Sequence, residues 1–152
     1  MTNASLSFSA GSDTTVAVVH TLMLQLTLHP KYQRQAQVEL DSITNVPGSA
    51  SFRLPTFEDR TRTPFLDALI KEGLRWNPAS GTGIPHAAME EDVYRGWRIP
   101  KGSIVFGNAW GMLREGGHGA YKDPGMFKPE RFLGDEKEPD PGISGAFGFG
   151  RR

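Results

Sequence analysis

Glycine and proline split this chain in two. Of its 18 glycines and 11 prolines, 22 stand from Asn77 onward. The first part is therefore free to be helical, while the second must run through turns, short strands and coil. The fold class this dictates is mainly α with a small β-sheet, an α+β arrangement. Its helical part covers about 1–77 and its strand and coil part about 78–152. A chain of 152 residues is long enough to enclose one core. No internal repeat is visible.

The first helix is expected over residues 6–28, with apolar side chains on nearly every face. That pattern predicts a helix surrounded by protein rather than lying on a surface. Its most apolar stretch, 16–28, is interrupted by His20, Thr21, Gln25 and Thr27, so it is too short and too polar to cross a bilayer. His29-Pro30 ends it, because a residue before proline avoids the helical region. A second helix over 31–43 carries Tyr32, Ala36, Leu40 and Ile43 on one stripe among charged neighbours. After a loop over 46–54, a third helix begins at Pro64 with Thr63 as its N-cap and stops at Trp76-Asn77-Pro78.

Strand signals follow over 83–87, 93–99 and 103–106, the middle one a tight hairpin. Ile99-Pro100-Lys101-Gly102 suits a type I turn, with proline second and glycine last. From Gly111 on, the pattern is mostly irregular.

Charge excludes some partners. The 17 basic and 17 acidic residues balance, so no field draws the chain to nucleic acid or an anionic membrane. Cysteine is absent, which excludes disulfides and any metal–thiolate bond made by these residues. The N-terminus lacks the basic start of a secretory signal. His20, His29, His86 and His118 show no metal-site spacing, so no metal ligand is assigned.

Three stretches could carry chemistry. In Ala10-Gly11-Ser12-Asp13-Thr14-Thr15, the Thr14 hydroxyl can bond back to the Ala10 carbonyl and open the helix locally. Gly11 leaves a hollow beside it. Asp13 is a carboxylate in apolar surroundings, a costly placement unless it is partnered or moves protons. The plainer alternative is a helix N-cap at Ser12 or Asp13. Glu72 and Arg75 share a face of the third helix with Phe65 and Ala68, and such a pair is commonly an exposed ion pair. Gly73 between them costs about 1 kcal/mol against alanine, which hints at close packing there. The segment 121–132 has no helical or strand period and needs partners elsewhere. Its Arg131 could complete a buried Glu72–Arg75–Arg131 network with every charge hydrogen-bonded, or it could sit in a solvated surface loop.

Four motifs occur in one order: Ala10-Gly11-x-Asp13-Thr14-Thr15, Glu72-x-x-Arg75, Pro129-Glu130-Arg131-Phe132 and Phe147-x-x-Gly150-x-Arg152. Together they resemble the haem-thiolate monooxygenases of the cytochrome P-450 superfamily. Ile84-Pro85-His86, Ile99-Pro100-Lys101-Gly102 and Asn108-Ala109-Trp110 look like its eukaryotic microsomal branch, with fungal members one option within it. The resemblance covers essentially the whole chain, which would be a partial monooxygenase domain truncated at both ends.

The resemblance implies a haem b cofactor, an NADPH-linked reductase and a small organic substrate. The first helix would cross the haem, with Ala10 and Gly11 bordering the dioxygen site and Asp13 and Thr14 relaying protons. Glu72, Arg75 and Arg131 would form a structural lock behind the haem. Arg152 would pair with one propionate and His86 would lie near the other, unless it only stabilises a turn, and Phe147 and Gly150 would belong to the haem loop. The axial cysteine would fall two residues beyond Arg152, so the chain by itself is expected to be inactive. Two further departures are the glycine-rich Glu115-Gly116-Gly117-His118-Gly119 and Leu113, where a histidine is common. Members of this branch are anchored in the endoplasmic-reticulum membrane, yet no anchor or signal is visible here, which leaves location open. The second reading is a non-catalytic scaffold or interaction protein of the same descent. An unrelated small helical module would require all four motifs to be accidental.

Overall fold

The computed structural model describes residues 3–114 and 120–150, with side chains from Phe8 onward. The stretch 115–119, which includes His118, and Arg152 lie outside the described residues.

Three helices form the first half: α1 (Asn3–Leu28), α2 (Pro30–Thr44) and α3 (Pro64–Trp76). The expected stop at His29-Pro30 holds. Helix α1 is not enclosed, however. Val16, Val19, Met23, Leu24 and Leu28 are exposed, Met23 by 62%, and among its described side chains only Thr21 and Gln25 are buried. Its all-round apolar pattern is thus covered only in part, along Leu22 and Leu26, a correction to the enclosed helix read from the pattern.

Helix α2 behaves as its stripe predicts, burying Tyr32, Ala36 and Ile43. Between α2 and α3 a 3₁₀ turn covers Phe57–Arg62. It is held by Asp59, which accepts from the Thr56 N–H at 2.8 Å and from both Arg53 terminal nitrogens at 2.7 Å. The Arg53 guanidinium, then the Thr56 amide, hold the Asp59 carboxyl well below the usual carboxylate range.

The start of α3 is capped from a distance. Thr63 stands at the N-cap position, but its hydroxyl donates to the Arg60 carbonyl at 3.1 Å. Glu39 of α2 instead accepts the N–H groups of Phe65 and Leu66, each at 2.9 Å. A carboxylate at a helix N-terminus satisfies orphan donors and complements the helix dipole.

Helix α3 is the hub. Phe65 and Leu69 join Tyr32, Ala36 and Phe127 in one apolar cluster. Ala68, one turn on from Phe65, joins an adjoining cluster with Ala109, Leu113, Tyr121 and Phe132. Each large side chain buried this way contributes about 1.5–3 kcal/mol. Gly73 shows why a helix breaker is tolerated here: a β-carbon on it would lie 2.6 Å from Leu22 Cδ2 of α1. The close packing expected at Gly73 is the contact with α1.

Two small antiparallel pairs follow. β1 (His86–Ala87) pairs with β4 (Ile104–Val105), His86 opposite Val105. β2 (Asp92–Tyr94) pairs with β3 (Trp97–Ile99) across a two-residue turn in which Arg95 and Gly96 have φ of 49° and 84°. Positive φ at both central positions gives the turn that matches strand twist. The turn near Pro100 sits one residue later than expected, closed by Ser103 N–H to the Pro100 carbonyl at 3.1 Å. Gly102 is then third, with φ 83°, which a type II turn requires and a type I turn does not. The tail is irregular but not structureless. α4 (Ala109–Leu113) is a short helix, Pro129–Phe132 a 3₁₀ turn and Gly142–Ala146 a single π-helical turn.

Candidate functional site

The most completely buried chemistry lies behind α3. A three-residue spacing puts Glu72 and Arg75 on one helix face. Arg75 Nε and Nη2 reach the two Glu72 oxygens at 2.7 and 2.9 Å. Arg75 Nη1 donates to the Leu113 and Pro124 carbonyls at 2.7 and 2.8 Å. Both side chains are 0% exposed. The reading of this pair as a solvated surface bridge is therefore set aside.

Arg131 approaches from the 3₁₀ turn. Its Nη1 donates to Glu138 Oε2 at 2.6 Å and to the Lys122 carbonyl at 2.7 Å. Its Nε lies 3.2 Å from Glu72 Oε2. That atom is the one buried side-chain nitrogen or oxygen among the described residues with no hydrogen bond, so it serves Glu72 by charge alone. The network expected to hydrogen-bond every charge does so everywhere but there, and Arg131 is not a solvated surface residue. Glu72 Oε1 also accepts the Lys128 N–H at 2.7 Å, which fixes the irregular segment against α3. The arrangement joins α3, α4 and the 121–132 segment through charges that have no access to water. Such a network rigidifies when its members are satisfied.

On the opposite side of α3 lies an open trough of about 580 Å³. Its walls are α1, the link from α3 to β1 and the turn over 145–150. Val18, Val19 and Leu22 face it from α1, and Phe147 and Phe149 from the turn. Phe147 is 77% exposed, an unusual state for so large an apolar side chain among other apolar walls. Polar side chains are few: Thr14 and Thr15 on one wall, and Ser80 and His86 along the link. Size and lining match a site for a largely apolar small molecule with a few orienting polar contacts.

The predicted site residues divide between these two places. Thr14, His86, Phe147 and Gly150 all line the trough. Thr14 Oγ1 donates to the Ala10 carbonyl at 2.8 Å, as the spacing suggests, and Thr15 does the same to Gly11 at 2.8 Å. The helix nevertheless continues without a break. A β-carbon on Gly11 would meet nothing within 4 Å, so the hollow there is open space. Asp13 is exposed rather than set in apolar surroundings. The N-cap alternative fails too, since α1 is already helical from Asn3. The Asp13 reading fails because an apolar neighbourhood in sequence is not an enclosed one in space.

Two contributors escape motif reasoning. Glu138 completes the charge network from outside any recognisable pattern. Arg114 stacks between two tryptophans, 3.7 Å from the Trp76 ring centre and 4.7 Å from that of Trp110, while donating to the Trp76 carbonyl at 2.9 Å. Burial, then the nearby Arg75 charge, lower its pKa. A tryptophan four residues ahead of an arginine was the one available sequence signal.

The sequence model of the family described as cytochrome P450 matches residues 1–152. This chain belongs to the cytochrome P450 family. A cytochrome P450 monooxygenase of Armillaria gallica is 41% identical over 149 residues, covering 98% of this chain and 28% of that relative. An O-methylsterigmatocystin oxidoreductase of Aspergillus flavus is 42% identical over 145 residues, 93% of this chain and 26% of that protein. A solved zebrafish cytochrome P450 structure with abiraterone superposes with a TM-score of 0.79 at 35% identity, covering 91% of this chain and 32% of that one. The chain thus spans about a quarter of the curated P450 relatives it matches. The partial P450 fold read from the motifs is the fold found, and both of these curated relatives are fungal.

Proposed function

We propose that residues 1–152 supply one wall and the rear support of the active site in a haem monooxygenase domain. The observation that carries this reading is the open apolar trough with two threonine hydroxyls on α1 and exposed phenylalanines opposite. A flat, mainly apolar cofactor with acidic edge groups fits that lining. Thr14, His86, Phe147 and Gly150 of that lining would hold it, Ala10 and Gly11 would border it one turn back along α1, and Arg152, with its fixed charge, would meet one of its carboxylates. The cofactor we assign is haem b, which when bound supplies dioxygen activation with electrons from an NADPH-linked reductase.

The chain's own residues then have distinct tasks. Val18, Val19 and Leu22 exclude water from the α1 wall. The Thr14 and Thr15 hydroxyls, each already donating to a backbone carbonyl, keep acceptor capacity and can hold a water or pass a proton at that wall. Asp13, beside Thr14 and exposed, can exchange protons with solvent. The Glu72–Arg75–Arg131 lock keeps the floor of the site from shifting. With no cysteine these residues cannot themselves donate a thiolate. The substrate is a small organic molecule. The scaffold reading has less in its favour, since the exposed apolar faces of α1 and the trough suit ligand binding and further packing better than an independent surface.

A chimera tests this. The matching 145-residue stretch of the Aspergillus flavus relative is replaced by this chain, and haem content and the reduced carbon-monoxide spectrum are recorded. Haem retention with a thiolate-type band is expected, and Gly11→Trp, which fills the hollow, abolishes it. A folded chimera that holds no haem overturns the proposal.

A further inference from the structure

Helix α1 meets its neighbours through the partly buried Leu22 and Leu26 and the buried Thr21 and Gln25, and the apolar part of that contact is non-directional. The Gly73–Leu22 approach fixes how near α1 lies to α3, but a leucine over a glycine does not stop sliding or rotation. Among the described residues, one hydrogen bond joins an α1 side chain to another element: Asn77 Nδ2 donates to Thr21 Oγ1 at 2.8 Å. Thr21 is 5% exposed, and its hydroxyl proton is already committed to the Ala17 carbonyl at 2.9 Å, so its lone pair is aimed at a single partner. Asn77 is the C-cap of α3, bonded through its N–H to the Gly73 carbonyl at 3.1 Å. It is also the first residue of the link that carries Ala79, Ser80, Gly83 and Ile84 along the trough. That link is fastened further on, where the Trp110 N–H donates to the Gly81 carbonyl at 2.8 Å.

Thr14 lies seven residues before Thr21, two turns or about 10.5 Å along the same side of α1. We propose that Thr21 and Asn77 are a register pin: their hydrogen bond sets where Thr14 and Thr15 stand over the trough relative to the link wall. They act as positioning residues. This rests on the function proposed above. When the pin is lost, the hydroxyls and the substrate wall fall out of step. Two electrons and two protons per dioxygen then leave as hydrogen peroxide instead of one oxygen atom entering substrate. A displacement near 1 Å suffices for large losses in such sites.

The test uses the same chimera with O-methylsterigmatocystin as substrate. Thr21→Val and Asn77→Leu each lower product formed per NADPH consumed about fivefold, the size of one lost hydrogen bond, with peroxide rising to match. The double variant is no worse than either single one. Thr21→Ser, which keeps the hydroxyl, stays within about twofold of the parent. The reduced carbon-monoxide spectrum is unchanged throughout, and the substrate-induced difference spectrum shifts in the two pin variants alone. Unchanged coupling in haem-loaded Asn77→Leu overturns the pin while leaving the proposed function intact. So does Thr21→Ser behaving like Thr21→Val. A parent chimera that binds no haem removes both.

Discussion

The two faces of α3 solve the burial problem in opposite ways. Behind it, Glu72, Arg75 and Arg131 place three charges out of water, yet nearly every polar atom finds its partner inside this chain. In front, α1 is apolar on most sides and leaves much of that surface open. The charged region is self-sufficient and the greasy one is not. A buried ion network is closed by geometry, whereas an apolar helix is closed only by whatever area of protein lies against it. Self-sufficiency is therefore a matter of saturation and not of hydrophobicity.

Four substitutions can break or sharpen that contrast. The largest effect is expected from Glu72→Ala, which strands two buried guanidinium groups. It should cost about 3–5 kcal/mol and remove cooperative urea unfolding followed by near-UV circular dichroism. A loss under about 1 kcal/mol would mean the network is not closed. Arg114→Lys comes next. It exchanges a planar cation between two indole rings for a point charge, and the midpoint should fall by about 1 kcal/mol in the same assay. Gly73→Ala is a sign test. With α1 docked, overpacking against Leu22 outweighs the gain in helix propensity by about 1 kcal/mol. With α1 detached, the same change stabilises by about that amount. Leu24→Gln on the open side of α1 should be the smallest, within about 0.5 kcal/mol in unfolding, with slower aggregation by light scattering.

Much of this was legible in residue order. The Gly and Pro partition placed the change from helix to turn at Asn77, and the α2 stripe named three buried residues, Tyr32, Ala36 and Ile43, with Leu40 half-buried and Thr44 missed. Spacing alone left Glu72 and Arg75 as a common surface pair and Arg131 open between a buried network and a solvated loop, and the lock followed from the family resemblance. What the sequence left unsaid is of two kinds. Asp13 and the enclosure of α1 depended on atoms outside the segment that was read. Glu39, Glu138 and the Trp76–Arg114–Trp110 stack depended on contacts between residues far apart in the chain, for which single-chain periodicity has no signature. The π-helical turn before Phe147 belongs with these, since no repeat announces it.

Glu39 repays a closer look in this light. One carboxylate on α2 holds the first two free amides of α3, so neither helix can tilt at that end without carrying the other along. A nudge on the outer surface of α2 would reach the base of the ion network about two helical turns along α3, as a lever transmits a push through its fulcrum.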